Sequence, residues 1–289
     1  MEAVVVPELS GRIVRFGPVG GDSWLWTSPE GATFKPKDWA NHGGDKTWPA
    51  LQSEWGVHTG TGVWPPHPTW DGLPHRGESA PGGTIRTVGP VMAGYGIRST
   101  RIVGFEPGGA LFVETTFVKE KGPPVATAIW HVTQVIPPEV VYLPLSPEST
   151  YTGGFHWFGG KTPPESRARN VSKTLLEYVP TPESGYKLGA DVPFVALAAV
   201  SKGQALVQRS DKIADAEYPE GAPGSGFPVT LYNGGASDPT QRYVELETMS
   251  PLRILKVGER LTHRVRWTTH LLDAGDRREV IEALLKRER

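Results

Sequence analysis

Cysteine is absent from this chain. That excludes disulfides, thiolate zinc sites, iron–sulfur clusters and cysteine nucleophiles together. Charge of one sign is also lacking: 30 basic residues stand against 31 acidic ones, a formal net charge of −1. No global basic field exists to hold a nucleic acid or an anionic membrane, so neither partner is expected. Long apolar runs are missing too. The longest, 192–200, contains Pro193 and falls well short of the ~18 residues of a membrane span. Met1-Glu2-Ala3 leads straight into Val4-Val5-Val6-Pro7, without the basic and apolar regions of a signal peptide. The expectation is a soluble protein, either cytoplasmic or exported with a leader removed.

Glycine and proline are plentiful, at 35 and 28 residues, and are scattered rather than periodic. They punctuate many short segments, as turns between strands do. Strand-like patterns run through 3–6, 12–16, 84–88, 95–103, 110–119, 125–136 and 139–143. They continue through 174–178, 194–200, 205–209, 229–232, 243–249, 252–256 and 261–271. So many strands with so little helix predict an all-β fold, a large sandwich of antiparallel sheets. One short C-terminal helix is expected, capped by Asp276, with an apolar stripe of Val280, Ile281, Leu284 and Leu285. Lys286, Arg287 and Arg289 sit where the helix dipole favours cations. Residues 215–226 read as a loop, and no repeat or linker divides residues 1–289, which are read as one domain.

Seven of the ten tryptophans fall in the strand-poor stretch 24–76, which reads as long ordered loops, a usual place for function. An indole can stack on the apolar face of a sugar and donate its N–H to a hydroxyl. Trp24 and Trp26 alternate as core members would; Trp39, Trp48, Trp64 and Trp70 are the platform candidates. In Asn41-His42-Gly43-Gly44-Asp45-Lys46-Thr47-Trp48-Pro49, two glycines allow a sharp turn that places Asp45 and Lys46 beside Trp48. A carboxylate, an ammonium and a ring suit a polyol. The phosphate-loop spacing is absent.

In Tyr243-Val244-Glu245-Leu246-Glu247-Thr248, a strand would turn Tyr243, Glu245 and Glu247 to one side. Two carboxylates about 7 Å apart along a strand interact, and poor solvation can raise one into the range of a neutral-pH acid or base. On 128–134, Ile129, His131 and Thr133 share a face opposite Trp130, Val132 and Gln134. His131 is a candidate acid, as is His156 in an aromatic, glycine-rich loop. His58, His67, Asp71 and His75 have metal-binding side chains, but intervening prolines prevent helical spacing and no HExxH occurs. No metal is expected; His42 and His67 are taken as sugar-binding candidates. The serine-hydrolase motif G-x-S-x-G is absent.

The chain resembles the galactose mutarotase-like superfamily of β-supersandwich proteins, and within it the DUF4380 group. The resemblance is carried by Val4-Val5-Val6-Pro7-Glu8-Leu9-Ser10-Gly11-Arg12-Ile13, Leu25-Trp26 and Gly43-Gly44-Asp45-Lys46-Thr47-Trp48-Pro49. Tyr243-Val244-Glu245-Leu246-Glu247 and 254–261 complete it. The opening segment enters the pattern almost at once, which leaves room for a strand or leader before it. The resemblance implies a general base on a late strand and a histidine acid on a central strand, opening and reclosing a sugar ring without a cofactor. Leu246-Glu247-Thr248 matches the late strand, which makes Glu247 the first choice of base and Glu245 the second. His131 matches the histidine by position only, and the His-Tyr-Phe-Asn-Leu type motif is absent.

The expected function is a carbohydrate-active protein with a groove for a mono- or oligosaccharide, interconverting anomers by Glu/His catalysis. Asp45, Lys46, Trp48, His42, Trp64, His67 and Trp70 would bind the sugar. The alternatives are a non-catalytic carbohydrate-binding module, and a polysaccharide lyase or glycoside hydrolase on the same fold.

Overall fold

A computed structural model describes residues 1–29, 39–160, 162–165, 167–183, 185–220, 226–272 and 277–286. The strands are, in chain order, β1 (Glu2–Val6), β2 (Arg12–Gly17), β3 (Asp45–Ala50), β4 (Arg76–Ala80), β5 (Thr84–Val91), β6 (Ile97–Phe105) and β7 (Leu111–Lys119). Next come β8 (Val125–Val135), β9 (Val140–Pro144), β10 (Phe155–Trp157), β11 (Ala168–Ser172), β12 (Leu175–Tyr178) and β13 (Tyr186–Ala190). The last six are β14 (Val195–Ser201), β15 (Gln204–Ser210), β16 (Val229–Gly234), β17 (Tyr243–Met249), β18 (Arg253–Leu255) and β19 (Arg260–Leu271).

They form two antiparallel sheets. Sheet 1 runs β1-β2-β3-β8-β17-β16-β13-β10, with β18 paired to one end of β8. Sheet 2 runs β11-β12-β9-β14-β15-β19-β7-β6-β5-β4. Alternation explains how they pack. Val244, Leu246, Leu231 and Leu188 of sheet 1 meet Leu197, Leu206, Val265 and Trp267 of sheet 2 in one apolar core. The outer face of sheet 2 is covered in part by α3 (Arg277–Lys286), whose Ile281, Leu284 and Leu285 pack on Ala196, Ala198 and Val207. The expected cap Asp276, and Arg287 and Arg289, lie outside the described residues.

The main departure from expectation is β3. Its glycines and Pro49 disguise a central strand as a turn, yet it pairs with β8 from Asp45↔Thr133 to Ala50↔Ala128. The chain enters it through Gly43 and Gly44, at φ +81° and +70°. A Cβ on Gly43 would lie 2.3 Å from the Trp26 carbonyl oxygen, so only glycine fits there. Two short helices, α1 (Trp55–Thr59) and α2 (Pro68–Asp71), follow. They seat Trp55 and Trp70 in a second core with Trp48 and Trp130.

Between the two sheets runs a belt of buried polar groups. Arg101 pairs with Asp45; on the other side of sheet 1, Arg12 pairs with Asp71 and donates to the Gly43 carbonyl at 3.0 Å. Thr133 donates to Asp45 at 2.8 Å and itself accepts from Gln208 at 3.0 Å. His131 Nε2 lies 2.9 Å from the Thr115 hydroxyl. Each buried charge here has its counter-charge, which is the condition under which burial of ions is tolerated.

Candidate functional site

Alternation along five neighbouring strands assembles the site. Residues directly opposite in an antiparallel ladder point to the same side. Glu247 stands opposite Val132 and Glu245 opposite Gln134. Across β8, Lys46 stands opposite Val132 and Trp48 opposite Trp130. On the other side of β17, Tyr232 faces Glu245, and Lys187 faces Tyr232. The side of sheet 1 turned away from sheet 2 therefore gathers two glutamates, two lysines and two indoles.

A cavity of about 240 Å³ lies on this face. Trp39, Trp48, Trp64 and Trp130, with Tyr232 and Tyr243, are its aromatic lining, and Gln134, Lys187, Glu245 and Glu247 are among its polar lining. The indoles stand edge to face: Trp48–Trp130 at 5.3 Å, Trp48–Trp64 at 6.1 Å and Trp39–Trp64 at 4.8 Å between centroids. Such packing holds aromatic walls apart at fixed angles. Trp39 is tied down by its Nε1, which donates to Asp71 at 2.8 Å. Trp64 is 49% exposed and stands at the rim.

The lining glutamates and Lys187, with Lys46 and Glu220 beside them, form an alternating row of charge. Lys46 Nζ lies 3.8 Å from Glu245 and 5.0 Å from the Trp48 ring centre. Gln134 Nε2 donates to the same Glu245 oxygen at 2.8 Å. Glu247 accepts from the Thr230 hydroxyl and lies 3.9 Å from Lys187. Lys187 in turn donates to Glu220 at 3.2 Å and sits 4.4 Å above the Trp130 ring. Burial pushes Glu247 up to about 8, against the pull of Lys187 and with the push of Glu245. Burial pulls Lys46 down to about 8, against the nearby Glu245. Burial also opposes charge on Lys187, but Glu247 and Glu220 outweigh it and hold the ammonium above its ordinary range.

Several polar atoms of this cluster are left over. Glu247 Oε1, Gln134 Oε1, Lys46 Nζ and the indole nitrogens of Trp48 and Trp130 are buried with no hydrogen-bond partner among the described residues. Buried polar groups are normally paired. Four of these five atoms belong to residues that line the cavity, and Lys46 stands behind Glu245.

The other candidates are placed elsewhere. Asp45 neighbours Lys46 on β3, so it points the opposite way, into the belt, where it pairs with Arg101. It does not reach the cavity. His131 also lies on the belt side of β8, 1% exposed, with burial and the nearby His263 holding it neutral. His156 shares the face of Glu247 by register but is exposed on β10, stacked 6.2 Å from Phe227, away from the cavity lining. His67 caps α2, accepting from the Thr69 amide at 3.2 Å. Trp70 is buried against Trp55 behind the cavity wall. His42 is partly buried, its charge opposed by burial and Arg12. His67 bonds to Thr69 and Asp71 pairs with Arg12, His75 Nδ1 is buried without a hydrogen-bond partner among the described residues, and among the described residues no group of three or more metal-binding side chains forms.

Lys187, Tyr232 and Trp130 were not singled out as site residues. Trp130 was legible, since it alternates with His131. Lys187 and Tyr232 carry no local signal; only the strand order brings them in. A wider groove of about 960 Å³ lies on the outer side of sheet 2 near the end of α3. Its Arg264 and Arg266 are both committed to Glu106, and none of the candidate residues lines it.

No family model and no curated protein matches the sequence. Solved structures do match. A candidate aldose 1-epimerase from Escherichia coli K12 superposes with a TM-score of 0.58 at 12% identity, over 92% of this chain and 94% of that one. A candidate aldose 1-epimerase from Klebsiella pneumoniae gives 0.60 at 12%, over 99% and 81%. A galactose mutarotase-like protein from Lactobacillus casei gives 0.54 at 11%, over 93% and 96%. At such identities the likeness speaks for the fold, and this chain has the galactose mutarotase-like sandwich fold. Among the described residues, no helix is long and apolar enough to cross a membrane.

Proposed function

We propose that this is a carbohydrate-active protein, one domain over residues 1–289, that interconverts the anomers of a sugar by proton transfer at Glu247 and Glu245. The observation that carries the reading is one cavity shared by Trp48, Trp64 and Trp130 with the two glutamates. The rings offer flat apolar faces, and the unpaired polar atoms offer donors and acceptors for hydroxyls. At about 240 Å³ the space is below the ~300–1,000 Å³ of drug-sized ligands. It suits one sugar ring better than a long chain, which favours mutarotation over polysaccharide cleavage. The finer kinship with the DUF4380 group rests on the sequence segments alone.

Neither His131 nor His156 reaches this cavity, so a histidine acid is not part of the reading. That same fact favours the second reading, a binding module without chemistry. Exchange of anomers followed by NMR near neutral pH separates the two. Exchange above the buffer rate, reduced about 10²- to 10⁴-fold in Glu247→Gln as expected for loss of a general acid or base, supports the enzyme. Sugar binding without exchange across a broad panel of aldoses overturns it in favour of the module.

A further inference from the structure

The two glutamates share a strand face but not an environment. Glu245 has Lys46 Nζ at 3.8 Å and the Gln134 amide donating at 2.8 Å. Both contacts fall on the same oxygen, Oε1. Glu247 is 1% exposed. Its Oε2 accepts from Thr230 and is the oxygen that faces Lys187. Its Oε1 is buried and has no partner among the described residues. Lys187, the cation that would ionise it, makes its hydrogen bond to Glu220 at 3.2 Å and stays 3.9 Å from Glu247. The bonding pattern gives Oε2 the acceptor role toward Thr230 and leaves Oε1 the oxygen free to carry a proton toward a guest.

Resting on the mutarotation reading above, we propose that the glutamates divide the proton transfers, with Glu247 the acid that protonates the ring oxygen and Glu245 the base at the anomeric hydroxyl. Both are catalytic residues in the strict sense, since each exchanges a proton with the sugar. In the opening step Glu245 takes the proton of the anomeric hydroxyl. The carbon–oxygen double bond of the aldehyde forms there as the bond from the anomeric carbon to the ring oxygen breaks. Glu247 Oε1 gives its proton to that leaving oxygen. The aldehyde turns about its bond to the next carbon. In closing, the chain hydroxyl attacks the aldehyde and returns its proton to Glu247, while Glu245 returns its own to the new anomeric oxygen. Each side chain ends as it began, and no redox partner or cofactor enters. Two groups of one type, driven apart by their surroundings, can thus fill opposite roles. Lys187 flanks the pair as a fixed positive charge and Lys46 as one that holds its proton below about pH 8; neither passes a proton to the sugar in this scheme.

The test combines protonation and rate. The intact protein is labelled with ¹³C at glutamate carboxyls, and the two signals are assigned by their loss in Glu245→Gln and Glu247→Gln. At pH 6.5 the Glu247 signal is expected at the neutral-acid position, moving to the carboxylate position with a midpoint near 8. In the wild type, anomer exchange should decline as pH rises through about 8, because the acid is lost. Added formate should restore exchange to Glu245→Ala and not to Glu247→Ala. An ionised Glu247 at pH 6.5, or an exchange rate that climbs through pH 8, overturns the division of roles and leaves mutarotation standing. Absence of exchange with the expected carboxyl signals overturns mutarotation itself, the assigned roles falling with it. The wild-type rate profile can be read even if a variant folds poorly.

Discussion

Glu247 is the residue at which function and stability pull against each other. Its carboxyl is buried beside a second carboxylate, and its folded-state pKa is raised to about 8. The folded protein therefore holds this proton more tightly than the unfolded chain does. That preference supports the fold fully below the unfolded value of ~4.5 and is lost as pH rises through about 8. Glutamine stays neutral throughout. Thermal unfolding should find Glu247→Gln more stable than the wild type, by a margin that widens between pH 5 and pH 9. An unchanged or reversed margin would mean that Glu247 is ionised in the folded protein. The local motif Leu246-Glu247-Thr248 made this residue visible in the sequence, because alternation fixes which side it takes.

At the scale of elements, β3 shows how one strand serves two masters. Asp45 and Lys46 are neighbours, yet one belongs to the belt and the other to the cavity. Asp45→Asn should remove the counter-charge of the buried Arg101 and cost about 3–5 kcal/mol in denaturant unfolding. Lys46→Met keeps the length and apolar stem of the side chain. It should cost much less stability, while weakening sugar binding or slowing exchange, read by titration and NMR. Equal losses of stability from both substitutions would contradict the two-faced geometry.

Most strands were legible because β-branched residues and alternation mark them, and β17 falls where its pattern places it. Four short strands, β4, β10, β11 and β13, were missed along with β3, for want of that marking. The turn reading of 41–49 made Asp45 and Lys46 partners in one grip. His131 was paired with Glu247 by analogy of position, although the same alternation puts it on the other side of the sheet. Lys187 could not be found from its own neighbours, since it is brought to the cavity by the order β17-β16-β13.

At the scale of the molecule, buried imidazoles make the fold sensitive to acid. Burial holds His263 down to about 4, and burial with the charges of Arg101 and Arg12 holds His75 down to about 3. His131 is likewise held well below its ordinary value by burial and His263. These imidazoles are neutral when folded and take up protons when unfolded. The unfolded chain binds more protons below ~6.5, so stability falls with pH from there down toward about 4 and beyond. Melting curves should therefore descend between pH 6.5 and pH 4.5, the three imidazoles outweighing the opposite contribution of Glu247. Replacing His263 with Asn should flatten part of that descent, and a slope unaffected by the change would remove His263 from the account.

The alternating row along the cavity has a kinetic consequence. With Glu247 protonated, Lys46 and Lys187 are matched by Glu245 and Glu220, and the long-range field of the cluster largely cancels. A neutral aldose then arrives by plain diffusion, without electrostatic guidance. Its association rate, followed by stopped-flow indole fluorescence, should barely change when ionic strength is raised tenfold. A steep salt response would reveal a net charge at the mouth that the paired lysines and glutamates do not account for.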